Sequence, residues 1–112
     1  MLVKKEQRKE KKIAKQGTVW EYRLPSKAIG FALSELNGRV PDHGWMKNKA
    51  CNEIYYVISG SGTLFIEDER HDLKEGDVFL IKPGKKFYVV ANDLQLILPT
   101  APAWYPEQWE NI

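Results

Sequence analysis

A single cysteine, Cys51, excludes an intramolecular disulfide, and so sparing a use of thiols suits a reducing cytoplasm. Long apolar runs are missing as well. No stretch approaches the roughly 18 residues that a membrane helix needs. The charged start is not followed by the apolar run of roughly 7–15 residues that a secretory signal requires. Charge of one sign is scarce too, since 17 Lys/Arg stand against 15 Asp/Glu and leave a net +2. With 112 residues there is room for one core and no second. What the chain does hold is apolar substance. Its 43% hydrophobic and 12% aromatic residues suffice for a packed globule and argue against disorder. One cytoplasmic domain is predicted.

The positive charge is unevenly placed. Lys4 to Lys15, "KKEQRKEKKIAK", holds seven Lys/Arg against Glu6 and Glu10, so the remainder is mildly acidic. Such a segment could touch nucleic acid or an anionic membrane. It lacks the interleaved aromatics and the sustained apolar face that those partners favour. Residues 1–17 are therefore read as a solvated basic arm, with neither nucleic acid nor membrane as a partner.

From Thr18 onward the pattern turns to β. "VWEYRL" alternates, with Trp20, Tyr22 and Leu24 on one face and Glu21 and Arg23 on the other. "IGFAL" sets Ile29, Phe31 and Leu33 two apart, and Asn37-Gly38 closes that run as a turn. "EIYYVISG" stops at Gly60, and "GTLFIED" follows at once. "HDL", "VFLI", "KFYVVA" and "LQLIL" supply four more short runs, separated by Glu75-Gly76, Pro83-Gly84 and Asn92-Asp93. Short strands at this spacing, punctuated by Gly and Pro, predict an all-β sandwich or barrel rather than βαβ units.

"NEIYYVISGSGTLFIED" followed by "LKEGDVFLIKPGKKFYVVAN" resembles the cupin family of double-stranded β-helix, or jelly-roll, barrels. Glu53 and Gly60 match the glutamate, six residues and glycine that end the family's first motif. Gly76, Asp77, Pro83, Gly84 and Asn92 match the frame of the second. Fifteen residues separate Gly60 from Gly76, which resembles the compact end of the family. The resemblance covers about residues 28 to 98 and implies a barrel over residues 18–100 with a C-terminal tail, 101–112, packed on it. Gly76 and Gly84 suit tight turns where a Cβ would clash.

The family holds a metal with a His-x-His pair, the glutamate and a histidine of the second motif. Here the pair falls on Met46 and Asn48, or on Lys47 and Lys49 with the shorter spacing, and the later histidine is Phe87. Glu53 alone survives. One carboxylate does not hold a transition metal tightly, so neither metal nor other cofactor is expected. The chain's two histidines are His43, on a loop ten residues before Glu53, and His71, expected to face solvent. A rebuilt site would draw on Glu53 and His43, with Cys51 close by.

By strand parity and the family pattern, Glu53, Tyr55, Phe87 and Val89 face inward. With His43 and Trp45 they make the predicted ligand pocket. A carboxylate beside Phe87 is desolvated, which raises its pKa and suits a general acid or base; Glu53 and Tyr55 are thus the candidate catalytic pair. The tail "TAPAWYPEQWENI" is too apolar for a free end and is expected to pack along the barrel or join a dimer interface. The chain reads as a small-molecule-binding barrel and a homodimer. The alternatives are a metal-independent isomerase or lyase using Glu53 and, third, a metal enzyme with unusual ligands.

Overall fold

The computed structural model describes all residues, Met1–Ile112, and contains no α-helix. No helix is long and apolar enough to cross a membrane. A 3-10 turn at Lys5–Gln7 leads into β1 (Lys9–Ala14), β2 (Gly17–Tyr22), β3 (Gly30–Val40), β4 (Met46–Asn48) and β5 (Asn52–Ile66). There follow β6 (Glu69–Lys74), β7 (Val78–Ile81), β8 (Lys86–Ala101), a second 3-10 turn at Pro106–Gln108, and β9 (Trp109–Asn111). Every pairing is antiparallel, and β8 is the hub. It lies between β3 and β5 and also pairs with β4. Outward from the hub run β3-β2-β1 on one side and β5 with β6 and β7 on the other, while β9 closes onto β4.

Three of the expected turns are bulges. β5 runs through Gly60, β8 through Asn92-Asp93 and β3 through Asn37-Gly38, each with a register shift at or beside the turn-forming residues. Asp93 takes φ 46° and Gly38 φ 66°, left-handed conformations that bend a strand without ending it. An extra residue also changes the phase of side-chain alternation. In β8 the buried positions are Phe87, Val89 and Ala91 before the bulge and Leu94, Leu96, Leu98 and Thr100 after it. Long bent strands thereby curl the single nine-stranded sheet around its core. Gly76 and Gly84, at φ 87° and 85°, do close tight turns.

The basic segment expected as a solvated arm is instead strand β1, paired with β2 from Lys9↔Glu21 to Ala14↔Gly17. The sequence misleads because lysine stems can lie along apolar surface while their heads stay wet. Lys11 does this, with Nζ 4.2 Å from the centre of the Trp104 ring and 3.1 Å from Glu21 Oε2. β2 and β3 keep the expected alternation but invert the usual rule that large apolar side chains face inward. Val19 and Glu21 share the inner face with Ser34 and Ala32, whereas Trp20 and Leu33 pair on the outer one. Trp20 and Leu33 look out and the small side chains look in, while Tyr22 and Phe31, packed edge-on, border the cavity.

Candidate functional site

That inversion makes room. Gly30, Ala32 and Ser34 on β3 face Thr100, Leu98 and Leu96 on β8, and the small β3 side chains leave the barrel unfilled at this end. The result is a partly open cavity of about 930 Å³. Met46, Glu53, Tyr55 and Phe87 line it from β4, β5 and β8. The rim is polar and aromatic: Lys11, Glu21 and Arg23 come from the N-terminal strands, and Trp104, Tyr105 and Trp109 from the tail. Glu21 bridges Lys11 and Arg23 at 3.1 and 2.8 Å. Burial alone would raise its pKa, but hydrogen bonds from Arg23 and Lys11 prevail and hold it below the ordinary value.

Glu53 is the ionisable group of the interior. It stands opposite Ile81 of β7 and Thr100 of β8, both buried. The barrel wall encloses it, yet a water-sized molecule in the cavity can touch it. Burial pushes its pKa to about 7, and a hydrogen bond from Asn48 pulls the other way. Asn48 Nδ2 donates to Glu53 Oε1 at 3.0 Å. Asn48 is held in turn by Gln108, whose Nε2 donates to Asn48 Oδ1 at 2.9 Å. Burial and the adjacent Glu53 charge raise the Tyr55 hydroxyl well above its usual pKa, so Tyr55 remains a neutral donor. Its ring meets Phe87 edge-on, centroids 6.2 Å apart. Two buried hydroxyls of the wall, Ser34 Oγ and Thr100 Oγ1, have no hydrogen-bond partner in the protein.

Glu53, Tyr55 and Phe87 thus meet in one cavity, and three other residues expected in the pocket do not. His43 lies on an exposed loop outside the barrel. Trp45 packs outside against Tyr88, ring centres 4.8 Å apart, because it is one residue out of phase with the inward Met46. Val89 is fully buried among core side chains rather than against the cavity. The rim residues and Gln108 lay outside the expected set. The one hint of them in the sequence is the aromatic tail, since nothing local indicates that Gln108 will be buried.

The inward pair of β4 is Met46 and Asn48, which leaves Lys47 and Lys49 outside. The side chains at the family's metal positions are therefore a thioether, an amide, a carboxylate and a phenyl ring. Asn48 presents its nitrogen to Glu53 and has its oxygen engaged by Gln108, so it has no free donor atom for an ion. No three His, Cys, Asp or Glu residues stand together to share one. Cys51 is buried, and its thiol donates to the Pro102 carbonyl at 3.4 Å. These residues do not fit a transition metal.

A family model described as a cupin domain matches residues 34–96, more than half of the chain. No curated protein matches the sequence. Among solved structures, Pac13, described as a unique nucleoside dehydratase, superposes with a TM-score of 0.88 at 14% identity, covering 100% of this chain and 90% of that one. Substituted variants of Streptomyces Pac13 are also known with uridine. KdgF from a Halomonas species gives 0.73 at 14% identity, covering 93% and 96%. A predicted oxalate decarboxylase of Thermotoga maritima gives 0.65 at 23% identity, covering 91% and 99%. At such identities the likeness speaks for the barrel and not for its ligand.

Proposed function

The chain belongs to the cupin family, and from that premise we propose that its barrel is a metal-independent site for a small organic molecule. The observation that carries this is the cavity itself: about 930 Å³, partly open, with largely apolar walls and the enclosed carboxyl of Glu53. A molecule with a flat or apolar body would pack between the rim aromatics and the aliphatic wall. A hydrogen-bonding group on it would meet Glu53. The test has two parts. Untagged protein purified without chelators should hold far less than one metal per chain by plasma mass spectrometry, and Glu53→Ala should not change that. A small-molecule screen by thermal shift, with uridine included because a structural neighbour binds it, should find ligands whose effect disappears in Ala32→Leu. Stoichiometric metal lost in Glu53→Ala would overturn the proposal.

A second reading is favoured by one feature, the Glu53 pKa of about 7. A carboxyl that is half-protonated near neutrality can give or take a proton at a bound carbon or oxygen. With neutral Tyr55 beside it, the site suits a metal-independent lyase or isomerase. Glu53→Gln separates the two readings. A binder keeps its ligand, whereas an enzyme keeps the ligand and loses turnover.

We also propose a homodimer. Across the outer sheet face, Trp20, Leu33, Ile97, Tyr56 and Val78 follow one another from β2 to β7 through successive register pairs. Tyr56, Val78 and Leu80 are 40%, 66% and 50% exposed. So continuous an apolar row is unusual on a free surface, and two copies could cover each other's rows about a two-fold axis. Val78→Lys with Leu80→Lys should yield a monomer by light scattering. The buried free thiol of Cys51 suits a cytoplasmic setting.

A further inference from the structure

Two side-chain amides, Gln108 and Asn48, form a chain that ends on the candidate acid. Gln108 and Asn48 are each 1% exposed, although both are polar. Such burial is costly unless every group is satisfied, and here the pairing is directional. The Cys51 backbone N–H donates to Gln108 Oε1 at 3.1 Å, with Ala50 N at 3.4 Å. Backbone N–H groups only donate, so the oxygen of Gln108 must face them and its nitrogen must face Asn48. Asn48 must then present its oxygen to Gln108 and its nitrogen to Glu53. Neither amide can be reversed without setting donor against donor.

We infer that Gln108 is a positioning residue: acting through Asn48, it fixes which oxygen of Glu53 receives a hydrogen bond and leaves the carboxyl proton on Oε2, toward the cavity. This rests on the reading of Glu53 as a proton carrier and extends it, because the tail then takes part in the site. Oε1 always accepts from Asn48. A proton on Oε1 would weaken that bond, so the proton resides on Oε2, the oxygen without a partner in the protein. No charged side chain competes for this role at the bottom of the cavity. Across the strands Glu53 faces Ile81 and Thr100, from β4 it accepts from Asn48, and the nearby titratable groups are Tyr55 and Cys51. Burial and the Glu53 charge raise both of these, so both stay neutral. Lys11, Lys12, Glu21, Arg23 and Lys27 line the same cavity, and none of them pairs with Glu53.

The test follows the Glu53 carboxyl carbon by NMR in the unliganded protein, with the resonance assigned through Glu53→Gln. Gln108→Met keeps the side-chain length and removes the amide. Asn48 is then free to turn its oxygen toward Glu53, which disfavours the anion, and the midpoint should rise by about one pH unit. Asn48→Leu should raise it at least as far. Gln108→Met added to Asn48→Leu should move it no further, because the effect passes through Asn48. In the unaltered protein the Asn48 side-chain NH2 resonances should shift with the Glu53 midpoint, a measurement that does not depend on any variant folding. An unmoved midpoint in Gln108→Met, or Asn48 resonances flat through that midpoint, would overturn the inference. None of these measurements uses a ligand, so their outcome is separable from whether the cavity binds one.

Discussion

Replacing Glu53 by glutamine should remove the pH dependence that this one group imposes on stability. The carboxyl titrates near 4.5 in an ordinary setting and at about 7 in the folded barrel, because burial penalises the anion more than the Asn48 bond rewards it. The folded state therefore binds the proton more tightly. Below the unfolded value both states are protonated and the group costs nothing through ionisation. As pH rises the unfolded chain ionises first, and stability falls until the folded carboxyl has ionised as well. Every pH unit that separates the folded from the unfolded midpoint is worth about 1.4 kcal/mol, so the loss approaches about 3 kcal/mol between about pH 4 and about pH 8. Water reaching Glu53 through the cavity makes this an upper figure. Glutamine can still accept from Asn48 through its carbonyl oxygen and carries no proton to lose. Urea denaturation of both proteins across this range isolates the group, because other titrations cancel in the difference. Glu53→Gln should gain on the wild type by up to about 3 kcal/mol from the acid to the alkaline end, with most of the change between about pH 5 and 7. A difference that stays constant with pH would refute the reasoning and place Glu53 in a wetter environment than its enclosure implies.

The unpartnered hydroxyl of Thr100 leads to a stabilising substitution. Thr100→Val keeps the shape, removes a buried polar group without a partner, and should raise stability by about 1 kcal/mol in chemical denaturation; a loss would mean that the hydroxyl is bonded after all. The metal reading has a constructive counterpart. Phe87→His alone supplies a second ligand beside Glu53 and should leave metal content low. Met46→His, Asn48→His and Phe87→His together recreate four ligands on the inner face and should bring it toward one per chain.

Much of the frame was legible from local chemistry. The β class followed from short apolar runs and their Gly and Pro punctuation, and Glu53, Tyr55 and Phe87 do share the inner wall, as strand parity and the family pattern required. Trp45 shows where parity runs out. It stands just before β4, and the single step between it and Met46 sends the indole outside to Tyr88. His43 was placed near the mouth by its distance along the chain, but the loop carries it outside, where its backbone carbonyl accepts from Asn111. The phase of the long strands was hidden for a related reason. Asn37-Gly38, Gly60 and Asn92-Asp93 carry the chemistry of turns, and local sequence does not distinguish a turn that reverses the chain from a bulge that bends it. Cross-strand hydrogen bonds decide, and these are properties of the assembled sheet.

The inverted faces of β2 and β3 have a deeper cause than bulges. The rule that large apolar side chains point inward assumes an interior that must be filled by the chain itself. A barrel with a usable cavity breaks that assumption on part of its wall. There the inner face must be small, as Gly30, Ala32 and Ser34 are, and the large residues are displaced to the outer face, where Trp20 and Leu33 lie. Polarity alone then points the wrong way, and side-chain volume is the better guide to which face lines the site. The same displacement accounts for the apolar outer row and for the aromatic tail. Tyr105 and Trp109 rim the space that β3 leaves open, and Gln108 between them is fixed in the wall within reach of Asn48. The cavity, the outward aromatics and the tail that reaches Glu53 through Asn48 are thus consequences of one choice, the small inner face of β3.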